Sequence, residues 1–91
     1  MILATVVGTV VATRKDEKLV GSKLLLAQPI LPDGGPSGWP LVAVDTVDAG
    51  AGETVLIVSG SSARMVAGLA DCPVDAAIVG IVDVIHIDGS D

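Results

Sequence analysis

The hydrophobic pattern begins with residues 1–13, which carry no charged side chain and alternate between two largely apolar faces. One face consists of every second residue, with a glycine at its middle: Ile2, Ala4, Val6, Gly8, Val10 and Ala12. The other face is interrupted by three threonines, Thr5, Thr9 and Thr13. A period of two is typical of a β-strand, with one face for the core and one for a neighbour. The central glycine predicts a bend or bulge in this strand.

Four further strands are predicted where short apolar blocks are separated by glycine and proline clusters. They span residues 23–28, 41–47, 54–58 and 76–82, the last of them interrupted by Gly80. Ser61 or Ser62 can cap a short helix over residues 63–67, which Gly68 would end. The fold class predicted is therefore all-β, a small five-stranded barrel with one short helix.

The connecting segments are predicted from their charge and from their content of strand breakers. Residues 14–21 concentrate charged side chains and are expected to form a solvated hairpin connection. Residues 29–40 contain too many prolines and glycines for a strand, so they are expected to form a surface loop. Residues 84–91 are expected to form a short strand or an extended tail.

The length and composition predict one self-associating domain. The chain has 91 residues, 51% of them hydrophobic, and is expected to form a single domain with a barrel over 1–83. A domain of this size buries only about 60–65% of the surface of its unfolded chain, so another copy is expected to cover the surplus. The longest uncharged runs fall short of the roughly 20 residues of a membrane-spanning helix, so no such helix is expected. The net charge of -6 also argues against an anionic membrane surface, and no membrane partner is expected. A single cysteine, Cys72, cannot form an internal disulfide, which fits the cytoplasm.

The charge balance argues against nucleic acid as a partner. The formal net charge is -6, with only five lysine and arginine residues, so the chain should repel a polyanion. Barrels that bind single strands stack bases on aromatic side chains in a basic groove. This chain has no phenylalanine, no tyrosine and one tryptophan, Trp39, in the proline-rich loop.

No segment of the chain combines the residues that a catalytic, metal or phosphate site needs. The segment "DAGAGE", residues 48–53, resembles a phosphate loop only in its glycines, since Glu53 stands where a cation is needed. A tight turn in which Gly50 and Gly52 supply positive φ explains the glycines better. The possible nucleophiles, Ser59, Ser61, Ser62 and Cys72, have only His86 as a base, and the His, Cys and Asp residues lack metal-ligand spacing. We expect no enzyme, no metal and no cofactor.

Six motifs occur in a fixed order: "VVGTVVAT", "KLLLAQPI", "LVAVDTV", "GAGE", "VLIVSGSSAR" and "VDAAIVGIVD". Together they resemble the EutN/CcmL family, the pentameric vertex proteins of bacterial microcompartment shells, over residues 2–83. The resemblance implies a barrel related to the oligonucleotide-binding fold, assembled as a cyclic homopentamer among hexameric facet proteins in a cytoplasmic shell. The motif "SGSSAR" favours a catabolic compartment over a carboxysome. The alternative is a small β-barrel binding module without a role in a shell.

Under this resemblance the glycine turns become candidates for the contact between subunits. The hypothesis comprises Asp45, Gly50, Gly52, Glu53, Gly60, Ser61, Ser62 and Arg64. The small glycines permit close approach of two backbones, and the guanidinium of Arg64 suits a bidentate contact with a carboxylate such as Asp45 or Glu53. The chain departs from the family pattern at Asp48, where glycine is usual. Aspartate tolerates left-handed backbone, so the turn is expected to survive.

Overall fold

The alternating apolar segments form five strands that close into a barrel. A computed structural model describes residues 1–13, 16–66 and 75–89. The strands are β1 (Ile2–Val10), β2 (Leu24–Pro29), β3 (Leu41–Asp45), β4 (Thr54–Ser59) and β5 (Ala76–Ile81). Their order around the barrel is β1-β2-β3-β5-β4, and only the β3/β5 pair is parallel. The predicted all-β class and five-stranded barrel are confirmed.

Strand β1 bends at the glycine that the sequence singled out. Its pairing with β2 shifts register between Val6 and Gly8, so a bulge lies at the predicted place. The strand ends at Val10 rather than Thr13, because Val10 pairs with Leu24, the first residue of β2. A strand that has no partner on either side loses its hydrogen-bonded ladder, and the prediction of a thirteen-residue strand was therefore too long.

The predicted helix is present but starts at a different residue. Helix α1 (Ser61–Val66) begins two residues earlier than expected, directly after Gly60, which has a φ of 67°. Ser61 and Ser62 are therefore within its first turn rather than before it, and Gly68 lies outside the described residues. The charged connection contains one 3-10 turn, Glu17–Leu19, in which the Asp16 carboxylate accepts a hydrogen bond from the Lys18 amide at 2.9 Å.

The barrel interior is filled by small aliphatic side chains. Ten buried residues form this core, five of them alanines: Ala4, Val6, Leu25, Ala27, Ala43, Ala49, Val55, Ile57, Ala76 and Ile78. Small side chains suit the narrow interior of a barrel with few strands. A second cluster, Val44, Val58, Ala63 and Ala77, lies on the outside of the barrel, where α1 packs on β4 and β5. This packing supplies the stability that a six-residue helix lacks alone.

The loop after β2 is ordered by its own hydrogen bonds. The Ser37 amide donates to the Pro29 carbonyl at 2.9 Å, and the Gln28 amide nitrogen Nε2 donates to the Gly38 carbonyl at 3.1 Å. The loop ends beside Trp39, whose side chain is 88% exposed. The surface loop predicted for residues 29–40 is confirmed, apart from the end of β2 at Pro29.

Much apolar surface remains exposed on the single subunit. Several large aliphatic side chains lie on the outside of the barrel and beyond its last strand, among them Val7, Val11, Val42, Ile81 and Ile85. In residues 1–13, 16–66 and 75–89, no helix is long and apolar enough to cross a membrane.

Candidate functional site

The loop between β3 and β4 is organised by the carboxylate of Asp45. Its oxygens accept hydrogen bonds from the Val47 amide at 3.0 Å and from the Ala49 amide at 2.8 Å. The side chain is 1% exposed, so these are buried bonds to a charged acceptor. They turn the chain out of the sheet, and β3 therefore ends at Asp45 rather than at the predicted Val47.

Lys23 completes this charged cluster and was not among the predicted site residues. Its Nζ donates to the Ala49 carbonyl at 2.8 Å and lies 3.2 Å from Asp48 Oδ1 and 3.4 Å from Asp45 Oδ2. The pKa of Lys23 is raised mainly by the hydrogen bond with Asp48. Desolvation lowers this pKa in part, and the contact with Asp45 raises it further. One lysine therefore ties the start of β2 to the loop after β3.

Glu53 closes the other half of the loop. Its Oε1 accepts a hydrogen bond from the Gly50 amide at 2.6 Å, and its own amide donates to the Gly50 carbonyl at 3.1 Å. The turn is anchored to β1, because the Val6 amide donates to the Glu53 carbonyl at 2.9 Å and the Gly52 amide donates to the Val6 carbonyl at 2.8 Å.

One of the two positive φ angles in this loop falls on a different residue from the one predicted. Gly52 has a φ of 84°, as expected, but the second left-handed residue is Asp48, with a φ of 57°, and not Gly50. The prediction for Gly50 was wrong, and the expectation that Asp48 tolerates left-handed backbone is confirmed. At Gly50 a Cβ would lie 3.4 Å from Glu53 Oε1, so the small size of this glycine permits the close carboxylate contact.

The other predicted site residues lie beyond the far end of β4. The Gly60 amide donates to the Asp75 carbonyl at 2.8 Å, and helix α1 follows with Ser61 exposed. Ala63 is fully buried where α1 packs on β4 and β5, which fixes the helix on the barrel. Ser62 and Arg64 lie in this helix, and their side chains are outside the described part of the structure.

The candidate residues thus form two separate groups. Asp45, Gly50, Gly52 and Glu53 precede β4, whereas Gly60, Ser61, Ser62 and Arg64 follow it. A six-residue strand separates its ends by about 17 Å, so a single subunit does not bring the groups together. Within the subunit, Asp45 and Glu53 accept hydrogen bonds from amides of their own loop, and the contact of either carboxylate with Arg64 stays a prediction.

The residues considered for chemistry do not converge in the part of the chain that is described. Ser59 ends β4 on the surface, and His86 lies exposed beyond β5, while Cys72 lies outside the described residues. Among the described residues, no three His, Cys, Asp or Glu side chains are grouped as metal ligands.

Comparison with known proteins identifies the family of this chain. A family model described as ethanolamine utilisation protein EutN/carboxysome matches residues 1–83. The chain belongs to the EutN/CcmL family. It is 48% identical over 90 residues to the bacterial microcompartment shell vertex protein GrpN of Rhodospirillum rubrum strain F11, covering 94% of this chain and 97% of GrpN. The predicted resemblance is confirmed.

Two further similarities concern the compartment and the assembly. The carboxysome shell vertex protein CcmL of a Synechocystis species is 47% identical, covering 96% of this chain and 87% of CcmL. Identity is therefore nearly equal to GrpN and to a carboxysome protein. The structure of the GrpN pentameric microcompartment shell protein from Rhodospirillum rubrum matches with a TM-score of 0.87 at 46% identity, covering 96% of this chain and 99% of that one.

Proposed function

We propose that this EutN/CcmL chain is a structural subunit of a bacterial microcompartment shell and forms the pentamers that close its vertices. The observation that carries the proposal is similarity over the full length: the chain covers 97% of GrpN and 99% of the pentameric GrpN structure. Its role is structural and not enzymatic, and its place is the shell within the cytoplasm.

The distribution of the candidate contact residues supports a ring. In a cyclic assembly, one surface of each subunit meets a different surface of the next subunit. We infer that the loop before β4 and the segment from Gly60 to Arg64 are two such surfaces, and they lie about 17 Å apart along the strand. We infer that the first surface of one subunit faces the second surface of its neighbour.

A nucleic-acid-binding barrel is the alternative that the composition disfavours. Each subunit has a net charge of -6, so five copies carry -30 and repel a polyanion. Among Phe, Trp and Tyr the chain has only Trp39, which lies outside the barrel strands, so these residues cannot form a row of stacking side chains.

The facet partners and the enclosed pathway belong to the same proposal. A pentamer that closes a vertex must contact the flat tiles around it, and we infer that these tiles are hexameric shell proteins. Coexpression with a hexameric shell protein, followed by electron microscopy, should give closed particles that are absent without the pentamer. The motif "SGSSAR" favours a catabolic compartment, which the enzymes encoded beside this chain would identify.

Native mass spectrometry tests the stoichiometry directly. Five copies of 9.0 kDa give 45 kDa and six copies give 54 kDa, which are well separated. We expect the 45 kDa species to dominate at micromolar concentration. A dominant monomer or dimer would contradict the vertex role, and saturable binding of single-stranded DNA that salt removes would favour the alternative.

A further inference from the structure

After the last barrel strand, the chain continues as an arm whose described residues form no hydrogen bond with the barrel. The Val82 amide donates to the Thr54 carbonyl at 2.8 Å, which is the last bond of this strand ladder. Within the described residues, 83–89 make no further hydrogen bond, and every one of them is exposed. Three large aliphatic side chains, Val84, Ile85 and Ile87, are 38–66% exposed. We call residues 83–89 the C-terminal arm.

The arm has the pattern of a strand without a sheet. Ile85 and Ile87 are two positions apart, so in extended backbone they share one face, while Val84 and His86 share the other. Residues 83–87 precede a turn at Asp88–Gly89, and five extended residues reach about 17 Å, the length of another five-residue strand segment. The family match ends at residue 83, the first residue of the arm.

The last part of β1 offers an unpaired strand edge. On the side of β4, β1 pairs through Ile2–Thr5, and Val6 bonds to residues 52 and 53. From Val7 onward, β1 pairs in the described structure with β2 alone. Val7 and Val11 are exposed on this segment. An open edge flanked by apolar side chains is a template for a strand from another chain.

We propose that the C-terminal arm of one subunit lies along residues 7–11, the last part of β1 and the residue after it, in the neighbouring subunit of the ring. The arm leaves the barrel beside Thr54, and residues 7–11 extend past Val6 at the same end of β4. Rotation about the axis of a ring keeps this end of every subunit at the same level, so the arm of one subunit lies level with residues 7–11 of the next. Backbone pairing satisfies the free edge, and one aliphatic face of the arm covers Val7 and Val11. Each subunit then gives one arm and receives one, as a closed ring requires. This inference rests on the proposed pentamer.

Removal of the arm tests whether it contributes to the stability of the ring. A chain ending at Asp83 should keep the barrel and its circular dichroism, but its rings should dissociate at a subunit concentration at least about tenfold higher than for the full chain. Val20→Asp, at an exposed aliphatic side chain of the charged connection, is the matched control and should leave dissociation unchanged. Truncated rings as resistant to dilution as the full-length ring would overturn the arm contact. A full chain that is not pentameric would instead overturn the proposed function.

Disulfide trapping in the full chain locates the receiving edge and does not depend on the folding of a truncated variant. In a Cys72→Ser background, Ile85→Cys or Ile87→Cys is combined with Val7→Cys or Val11→Cys. At least one of the four pairs should give a reducible ladder up to five subunits. Crosslinks confined within single subunits, or no crosslink from any pair, would overturn the proposal. Unchanged rings that fail only to join hexameric tiles after truncation would assign the arm to the tile instead.

Discussion

Replacement of Asp45 by asparagine tests whether the loop before β4 is built by a buried carboxylate. In the native structure two amides donate to this carboxylate, at 3.0 and 2.8 Å, from a side chain that is 1% exposed. Asparagine keeps one acceptor oxygen but turns an amino group, itself a donor, toward the second amide. A hydrogen bond to a charged group contributes about 1.5–3 kcal/mol, and a buried donor left without a partner adds to that loss. We therefore expect Asp45→Asn to lower the free energy of unfolding by about 2–4 kcal/mol per subunit.

The assay is urea unfolding followed by circular dichroism at one fixed subunit concentration, because ring formation makes apparent stability depend on concentration. Asp48→Asn is the matched control in the same loop. Its side chain is 97% exposed, and asparagine accepts the left-handed φ of 57° found there. The control loses only an exposed contact with Lys23 and should unfold almost as the native chain does.

Two outcomes would refute this reasoning. If Asp45→Asn stays within about 0.5 kcal/mol of the native chain, as an ordinary surface substitution does, the buried hydrogen bonds do not hold the loop. If the control loses as much as Asp45→Asn, the contacts with Lys23, which both carboxylates make, account for the loss and the buried amides do not. In either case the order of the loop would need another cause.

Three further predictions concern the same loop and the helix beyond β4. Gly52→Val should destabilise each subunit by about 1–3 kcal/mol through its positive φ, whereas Gly50→Ala should cost less; thermal unfolding of both variants decides this. Arg64→Ala should shift the ring to smaller species while circular dichroism stays β-rich, and sedimentation velocity across a dilution series measures this shift. A ring that stays intact on dilution would contradict the prediction. Because the pKa of Lys23 is raised, its contribution is complete below the ordinary lysine pKa of about 10.4 and is lost as pH rises through the raised value. Lys23→Arg should remove that alkaline loss, and identical pH profiles of unfolding would contradict the assignment.

The local pattern predicted the elements because each strand is a short apolar block between breakers. Gly8 marked the bulge in β1, and the proline-rich stretch before Leu41 marked a surface loop. The ends of β1 and β3 were predicted too far along the chain. One is set by the first residue of a partner strand and the other by the carboxylate of Asp45, and neither cause is visible in hydrophobic periodicity.

The site was less predictable than the barrel, because its contacts depend on strand pairing. Lys23 reaches Asp45 only because β2 and β3 pair with Leu24 opposite Val44. A lone lysine before an apolar block carries no signal of that register. The glycines of the turn indicated positive φ, but the sequence did not show that Asp48 rather than Gly50 adopts it. Family resemblance supplied the candidate contact residues, and the structure divides them between the two ends of β4.

The exposed Trp39 determines which optical signals can follow this protein. It is the chain's only aromatic residue among Phe, Trp and Tyr, and it lies on a surface loop rather than in the barrel. Its fluorescence emission in the isolated folded subunit should already be close to that of a tryptophan in water, so unfolding should scarcely change it. A shift of that emission to shorter wavelength would instead report that another molecule has covered the loop after β2. Intrinsic fluorescence is therefore blind to the core of this barrel and sensitive to contacts at its rim.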